Sequence, residues 1–207
     1  MPPQNTRRFW KRKRTLLLAL AIAAFTVFSG QNGLGTSPKN ATPNHATQTA
    51  QNNLITGTVT RVADGDTLTL IDSHGLKHRI RLHGIDAPER DQAHGKQSGQ
   101  WLSEQTLNQQ VGVQISGTDK YQRQIGKVLK IPPGCSQPPC EYSHDVNLEA
   151  IELGHAWWYT QYANTQSPAD QQLYQQAQQT AQQQQQGLWA RPKPIAPWDW
   201  RRQKRKQ

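Results

Sequence analysis

Apolar side chains are scarce in this sequence. They make up 34% of its 207 residues, and Gln, Asn and Thr fill much of the gap rather than charge. Such a composition excludes several large cores and predicts one domain with a single modest core plus tails. Cysteine is scarcer still, with only Cys135 and Cys140. A cysteine-built metal centre needs two further ligands nearby, and only His144 is close. The short loop Ser-Gln-Pro-Pro between the two cysteines instead suits a disulfide in an oxidising compartment. No long internal repeat, no clustered histidines and no twelve-residue EF-hand loop is found: after Asp64-Gly65-Asp66, the next ligand position holds Leu68.

Apolar runs are as limited. The uncharged stretch Thr15–Ser29 follows Arg7, Arg8, Lys11, Arg12, Lys13 and Arg14. A basic segment leading into an apolar run of this length reads as an export signal, and it is short for a stable membrane span. Residues 1–29 are therefore expected to be a signal peptide, with an N-terminal membrane anchor as the other reading. Cleavage, and a secreted or cell-envelope location, are preferred. No Cys follows the run, so a lipid anchor is not indicated. Residues 30–53 are polar, with scattered Gly and Pro and no periodicity, as in a flexible linker.

The net charge of +10 is unevenly placed. Residues 55–190 hold ten Lys/Arg against thirteen Asp/Glu, a balance of −3. The positive charge sits at the ends, in the N-terminal cluster and in Arg201, Arg202, Lys204, Arg205 and Lys206. Residues 191–207 thus form a basic, Trp-containing tail. It reads either as an electrostatic arm for a polyanion or as a solvated tail.

Within the body, β-branched and alternating segments predict strands over Ile55–Val62, Thr67–Ile71, His78–Leu82, Val111–Ile115 and Ile125–Ile131. Ala93–Gln109 is expected to be helical with Trp101, Leu102 and Leu107 apolar, and Asp145–Leu153 helical with Gly154 behind it. A third helix starts at the cap Ser167 with Pro168 in its first turn. It carries Leu173, Ala177 and Ala181 as its stripe and runs toward Gly187. The fold class is α+β, mainly β: a five-stranded OB-type barrel with about three helices over residues 54–190.

Several short segments carry chemistry. Asp64-Gly65-Asp66-Thr67 joins two strands and alone is a tight turn. Arg81–Glu89 (RLHGIDAPE) ends a strand in Arg and then presents Asp86 and Glu89, with Pro88 stiffening the loop. Asp66 and Asp86 are hard-oxygen candidates for one divalent cation, with the Ala87 carbonyl as a third donor. Asp119–Arg123 brings a second arginine in a short connector. A phosphodiester under attack by water builds negative charge, which two arginines and a cation are suited to hold, while a carboxylate takes the proton.

DGDT (64–67), RLHGIDAPE (81–89), TDKYQR (118–123), DVNLEAIELGHAWWY (145–159) and GLW (187–189) lie in order along residues 55–190. Together they resemble the thermonuclease family, the staphylococcal nuclease homologues. The resemblance implies an OB-fold endonuclease that uses Ca²⁺ and cuts DNA and/or RNA. It implies Asp66, Asp86 and the Ala87 carbonyl as metal ligands, Arg81 and Arg123 as phosphate clamps, and Glu89 as the general base or the residue that orients the water. Tyr121 and Tyr159 or Tyr162 are candidates to flank substrate. Gln122 stands where family members often have Gly before the second arginine. A monomer is expected, with membrane association only through the N-terminal run. A catalytically silent OB-type binding module is the alternative, and the presence of all five acidic and arginine positions weighs against it.

Overall fold

The computed structural model describes residues 54–136 and 139–206. The apolar run 15–29 and the polar linker 30–53 lie outside the described residues, and no helix among those described is long and apolar enough to cross a membrane.

Five strands make the barrel. β1 (Leu54–Val62) and β2 (Thr67–Asp72) are antiparallel, and β2 continues antiparallel into β3 (Lys77–Leu82). After the two-residue β4 (Ile85–Asp86) and helix α1 (Gly95–Thr106), β5 (Gln110–Thr118) returns beside β1, and β6 (Gln124–Lys130) pairs with β5. The ring closes where β3 meets β6 in parallel, with Arg81 opposite Ile125 and Leu82 opposite Gly126. This mixed closed barrel with appended helices is the expected α+β, mainly β, OB-type class. Alternation drives it. On β3, Ile80 and Leu82 are buried in the core, while Arg79 and Arg81 belong to the other face. Val59, Leu68, Leu70, Ile80, Val111, Val113 and Val128 fill the interior with no exposed surface.

The helices plug the barrel's side. α1 buries Ser98, Trp101, Leu102 and Thr106, the spacing of one helical face; Leu107, expected within it, is its half-exposed C-cap. The strand fragment β7 (His144–Asp145) leads into α2 (Val146–Glu152). Asp145 is not the first helical residue but the N-cap, accepting from the N–H groups of Asn147 and Leu148. The fragment β8 (Trp157–Trp158) pairs with β4 and sets Asp86 opposite Trp157. α3 (Pro168–Gln183) is capped by Ser167 Oγ, which accepts from the Asp170 N–H at 3.1 Å. Its buried stripe is Tyr174, Ala177 and Ala181; Leu173 is 49% exposed. A repeat of four drifts around a 3.6-residue helix, whereas the 174–177–181 set keeps one face. Cys135 and Cys140 form a disulfide in the loop between β6 and β7.

The largest departure from the sequence reading is the basic tail. Pro197–Lys204 is a helix, α4. Proline in the first turn, Asp199 early and Arg201, Arg202 and Lys204 late complement the helix dipole. Trp198 stacks on Tyr159, with centroids 5.4 Å apart and planes at 11°, and meets Trp157 edge-on. Lys204 pairs with Asp91, and Arg202 with Asp199 at 2.7 Å. Residues 197–204 of the tail are therefore docked on the body through Arg201 and Lys204, which pair with carboxylates there, while Arg202 pairs within its own helix.

Candidate active site

The site lies where β2 starts, β3 ends and β4 follows. The turn into β2 brings Gly65 so close to Ser98 and Ala87 that a Cβ there would lie 2.6 Å and 2.7 Å from their Cβ atoms, which explains the glycine between the two aspartates. Asp66 is 7% exposed and Asp86 fully buried. Arg81 holds them together: its Nη1 lies 3.1 Å from Asp66 Oδ2, and its Nη2 donates to Asp86 Oδ1 at 2.9 Å. The same guanidinium donates to the carbonyls of Leu82 at 3.2 Å and Ile85 at 3.0 Å, which fixes its plane. Ala87 joins through its N–H, which donates to Asp66 Oδ2 at 2.9 Å.

The second arginine arrives by relay. Arg123 Nη1 donates to Thr67 Oγ1 at 3.2 Å, and Thr67 Oγ1 donates to Asp66 Oδ1 at 3.1 Å. Asp119 organises its turn, accepting from the N–H groups of Tyr121 and Arg123 through Oδ1 and from Arg123 Nε at 2.8 Å through Oδ2. Burial opposes the Asp119 charge, but these hydrogen bonds win and hold its carboxyl below the usual range. Gln122 sits at φ +59°, the left-handed region that favours glycine. Gln122→Gly is accordingly expected to raise stability by up to about 1 kcal/mol, the relieved strain being partly offset by glycine's greater entropy when unfolded. A denaturant titration checks this; a less stable variant would contradict it.

Burial raises the Asp86 pKa. Hydrogen bonds from Arg201 and the charge of Arg81 work against that rise, and Asp66 reinforces it. Burial and then the Asp66 charge push Asp64 up to about 6. Glu89 is half-exposed at the rim, its N–H donating to Gln92 Oε1 at 3.1 Å. Tyr121 lies beside Arg123, 5.6 Å from ring centroid to guanidinium carbon, and is 62% exposed. Tyr159 lies within the field of Asp86: burial and that charge raise its pKa. Tyr162 packs on Tyr159 with centroids 4.9 Å apart. The expected residues thus gather on one face of the barrel, with Tyr121 and Tyr162 at its edge.

Residues the sequence reading passed over complete the picture. Arg201 of α4 grips Asp86 with both prongs, Nη1 to Oδ1 at 3.1 Å and Nη2 to Oδ2 at 2.8 Å, and gives Nη1 to Glu89 Oε1 at 2.7 Å. Burial works against its charge, but these carboxylates hold its pKa above the usual arginine value. Gln92, buried, donates to the Ile195 carbonyl at 2.6 Å and so ties the Glu89 loop to the segment before α4.

The donor set suits a hard divalent cation. Two carboxylates already share the span of one guanidinium, and oxygen ligands of this kind are what Ca²⁺ and Mg²⁺ take. The described residues include no group of three His, Cys, Asp or Glu that could hold a metal, so carbonyl, water or substrate oxygens must complete such a shell.

A buried carboxylate pair bridged by an arginine, with a second arginine in relay, defines a class of proteins that act on anionic esters from an OB-type barrel. The profile of the staphylococcal nuclease homologues matches residues 79–191. The chain is 37% identical over 147 residues to an uncharacterized endonuclease of Haemophilus influenzae, covering 71% of this chain and 73% of that one. It is 36% identical over 149 residues to a micrococcal nuclease of Shigella flexneri, covering 70% and 80%. An uncharacterized endonuclease of Escherichia coli O157:H7 is 38% identical over 150 residues, covering 72% and 87%. The chain belongs to the staphylococcal nuclease homologue family. It is a hydrolase of phosphodiester bonds, an endonuclease of that family acting on nucleic acid, and the family is metal-dependent.

Proposed function

We propose that this protein is an exported, Ca²⁺-dependent endonuclease that hydrolyses DNA and/or RNA by direct water attack, as a monomer in the envelope or the medium. The observation that carries the reading is Arg81 spanning Asp66 and Asp86, with Arg123 tied to Asp66 through Thr67. Export rests on the basic-then-apolar N-terminal sequence, and the Cys135–Cys140 disulfide is compatible with an oxidising compartment. Cleavage of the N-terminal segment is favoured over its retention as a membrane anchor.

Asp66, Asp86 and the Ala87 carbonyl would hold Ca²⁺, and the ion would supply polarisation of the phosphoryl group and screening of its charge. Glu89 takes a proton from water as the water oxygen forms its bond to phosphorus. The bond from phosphorus to the leaving oxygen breaks, and that oxygen is protonated from solvent. Arg123 donates to the phosphoryl oxygens as their charge grows. Arg81 neutralises the two aspartates and shares in holding the phosphate. Tyr121, Tyr159 and Tyr162 flank the substrate: the exposed rings of Tyr121 and Tyr162 offer faces to sugars and bases, while Tyr159, stacked on Trp198, backs Tyr162.

The test is hydrolysis of DNA and RNA by the purified protein in Ca²⁺, in Mg²⁺ and in chelator. Activity is expected with Ca²⁺, to be poor with Mg²⁺, whose octahedral demands are stricter, and to vanish on chelation. Undiminished activity after exhaustive chelation would sink the metal assignment.

A further inference from the structure

We infer that helix α4 is a latch, and that Arg201 is a tethered cation competing with the divalent cation for Asp86. The inference rests on the reading of Asp86 as a metal ligand and Glu89 as a catalytic carboxylate.

Both Asp86 oxygens are taken by Arg201, and Oδ1 also by Arg81. Arg201 Nη1 in addition holds Glu89 Oε1 at 2.7 Å. One guanidinium therefore engages two of the three carboxylates that the reaction needs, Asp86 for the cation and Glu89 for the water, and leaves Asp66 to Arg81. A divalent ion at Asp86 must share those oxygens with a positive charge about 3 Å from each of them or displace it; either raises the concentration of ion needed.

The geometry is that of a closure device, not a stray contact. Arg201 lies 115 residues from Asp86 in sequence, and a row of contacts delivers it there. Gln92 binds the Ile195 carbonyl, Ala196 and Pro197 are buried, Trp198 stacks on Tyr159, and Lys204 reaches Asp91. The anchoring is uneven. The Trp198 end packs on aromatic rings, while the Lys204–Asp91 pair is more than half exposed and is worth little in water. Arg201 itself is only partly covered, with its side chain 34% exposed. The charged end of α4 can thus leave the carboxylates while the aromatic end stays seated. A polyanion reaching the site offers Arg201 phosphate oxygens in exchange for Asp86, and so favours release when substrate arrives.

Calorimetric Ca²⁺ titrations of the full chain, without nucleic acid, test the latch. Arg201→Gln and truncation after Trp200 should each tighten Ca²⁺ binding, by about tenfold if closure is favoured by about 1.4 kcal/mol. Lys204→Gln, which leaves the site intact, should tighten it by a smaller factor. Asp86→Asn is the control for the underlying reading, and should abolish the binding heat. Unchanged Ca²⁺ affinity in Arg201→Gln, with Asp86→Asn silent, would overturn the latch and leave the metal site standing. Undiminished binding in Asp86→Asn would overturn the site itself. Thermal melts cover folding: if Arg201→Gln melts too low to titrate, Arg201→Met, which keeps an apolar stem but removes the charge, takes its place, and a Ca²⁺ affinity no tighter than that of the parent rejects the latch. Should Arg201 instead be a substrate ligand, Arg201→Gln would weaken binding of an uncleavable phosphorothioate oligonucleotide and leave Ca²⁺ affinity alone, which also overturns the proposal.

Discussion

Arg81→Lys, Arg123→Lys and Glu89→Gln are each expected to lower kcat by about 10²–10³-fold, the usual cost of removing one positioned transition-state group. The three should differ in everything else. Lys at position 123 keeps a charge but cannot hold Asp119 Oδ2 through Nε while also reaching Thr67 Oγ1, so the phosphate clamp loses its aim. Asp66 and Asp86 keep Arg81, and Ca²⁺ affinity should be unmoved. Lys at position 81 cannot span both aspartates and the carbonyls of Leu82 and Ile85. That variant should lose Ca²⁺ affinity and some stability along with turnover. Glu89→Gln removes a rim carboxylate that is 38% exposed, so the fold should be intact. It also loosens Arg201, which favours Ca²⁺ binding; a drop in kcat despite a better-filled cation site would isolate the role of Glu89 toward water. Pre-steady-state hydrolysis at saturating Ca²⁺ separates chemistry from cation loading. Turnover within a few-fold of the parent for all three would refute the assignment.

The part of the site that could be read from the sequence is the part made by neighbours. Asp66 lies in the turn just before β2, Arg81 is the last but one residue of β3, directly opposite Thr67, and Asp86 in β4 and Glu89 after it follow within eight residues. Strand alternation alone places Arg79 and Arg81 on one face, away from Ile80 and Leu82. Arg123 is legible only through the family resemblance, because nothing local in its short connector shows that Asp119 aims it or that Thr67 links it to Asp66. Arg201 was hidden by distance and by composition: five cations among seven residues read as solvent-facing, and its carboxylate partners lie far back in the chain. The signal that could have exposed α4 was the order within it, with Pro197 first, Asp199 next and the cations last, which is a helix pattern rather than a loose tail. β4 and β8 were missed because two residues cannot show a period.

Asn147→Ala is expected to be the most damaging of these changes to stability. Asn147 has no exposed surface. Its Oδ1 accepts from the Val128 N–H at 3.1 Å, and its Nδ2 donates to the carbonyls of His83 at 2.9 Å and Gly126 at 3.2 Å. One side chain at the start of α2 thus ties β6 to the turn that leads into Ile85 and Asp86. Gly126 O would keep a second donor, the His83 N–H at 2.8 Å. The Val128 N–H and the His83 carbonyl would lose these side-chain partners where water has little access. At about 1–3 kcal/mol for each buried group left unsatisfied, the loss is about 3 kcal/mol. For a domain of this size that lowers Tm by about 10 °C. Because the His83–Asp86 turn loses an anchor, Ca²⁺ affinity should weaken as well, even well below Tm. Asn147→Asp sharpens the test. It keeps the acceptor for Val128 but turns a carboxylate toward two carbonyl oxygens, so the folded protein favours the protonated form and the group's folded pKa rises. A group with a raised folded pKa binds more protons folded than unfolded, so stability falls with rising pH between its two pKa values. The deficit of Asn147→Asp relative to the parent should therefore be smallest below about pH 4, the pKa of an unfolded Asp, and grow above it. Melting curves of the parent and both variants from acid to neutral pH decide the matter: Asn147→Ala within 2 °C of the parent, or an Asn147→Asp deficit that does not change with pH, would show that this side chain is not the tie between β6 and the site.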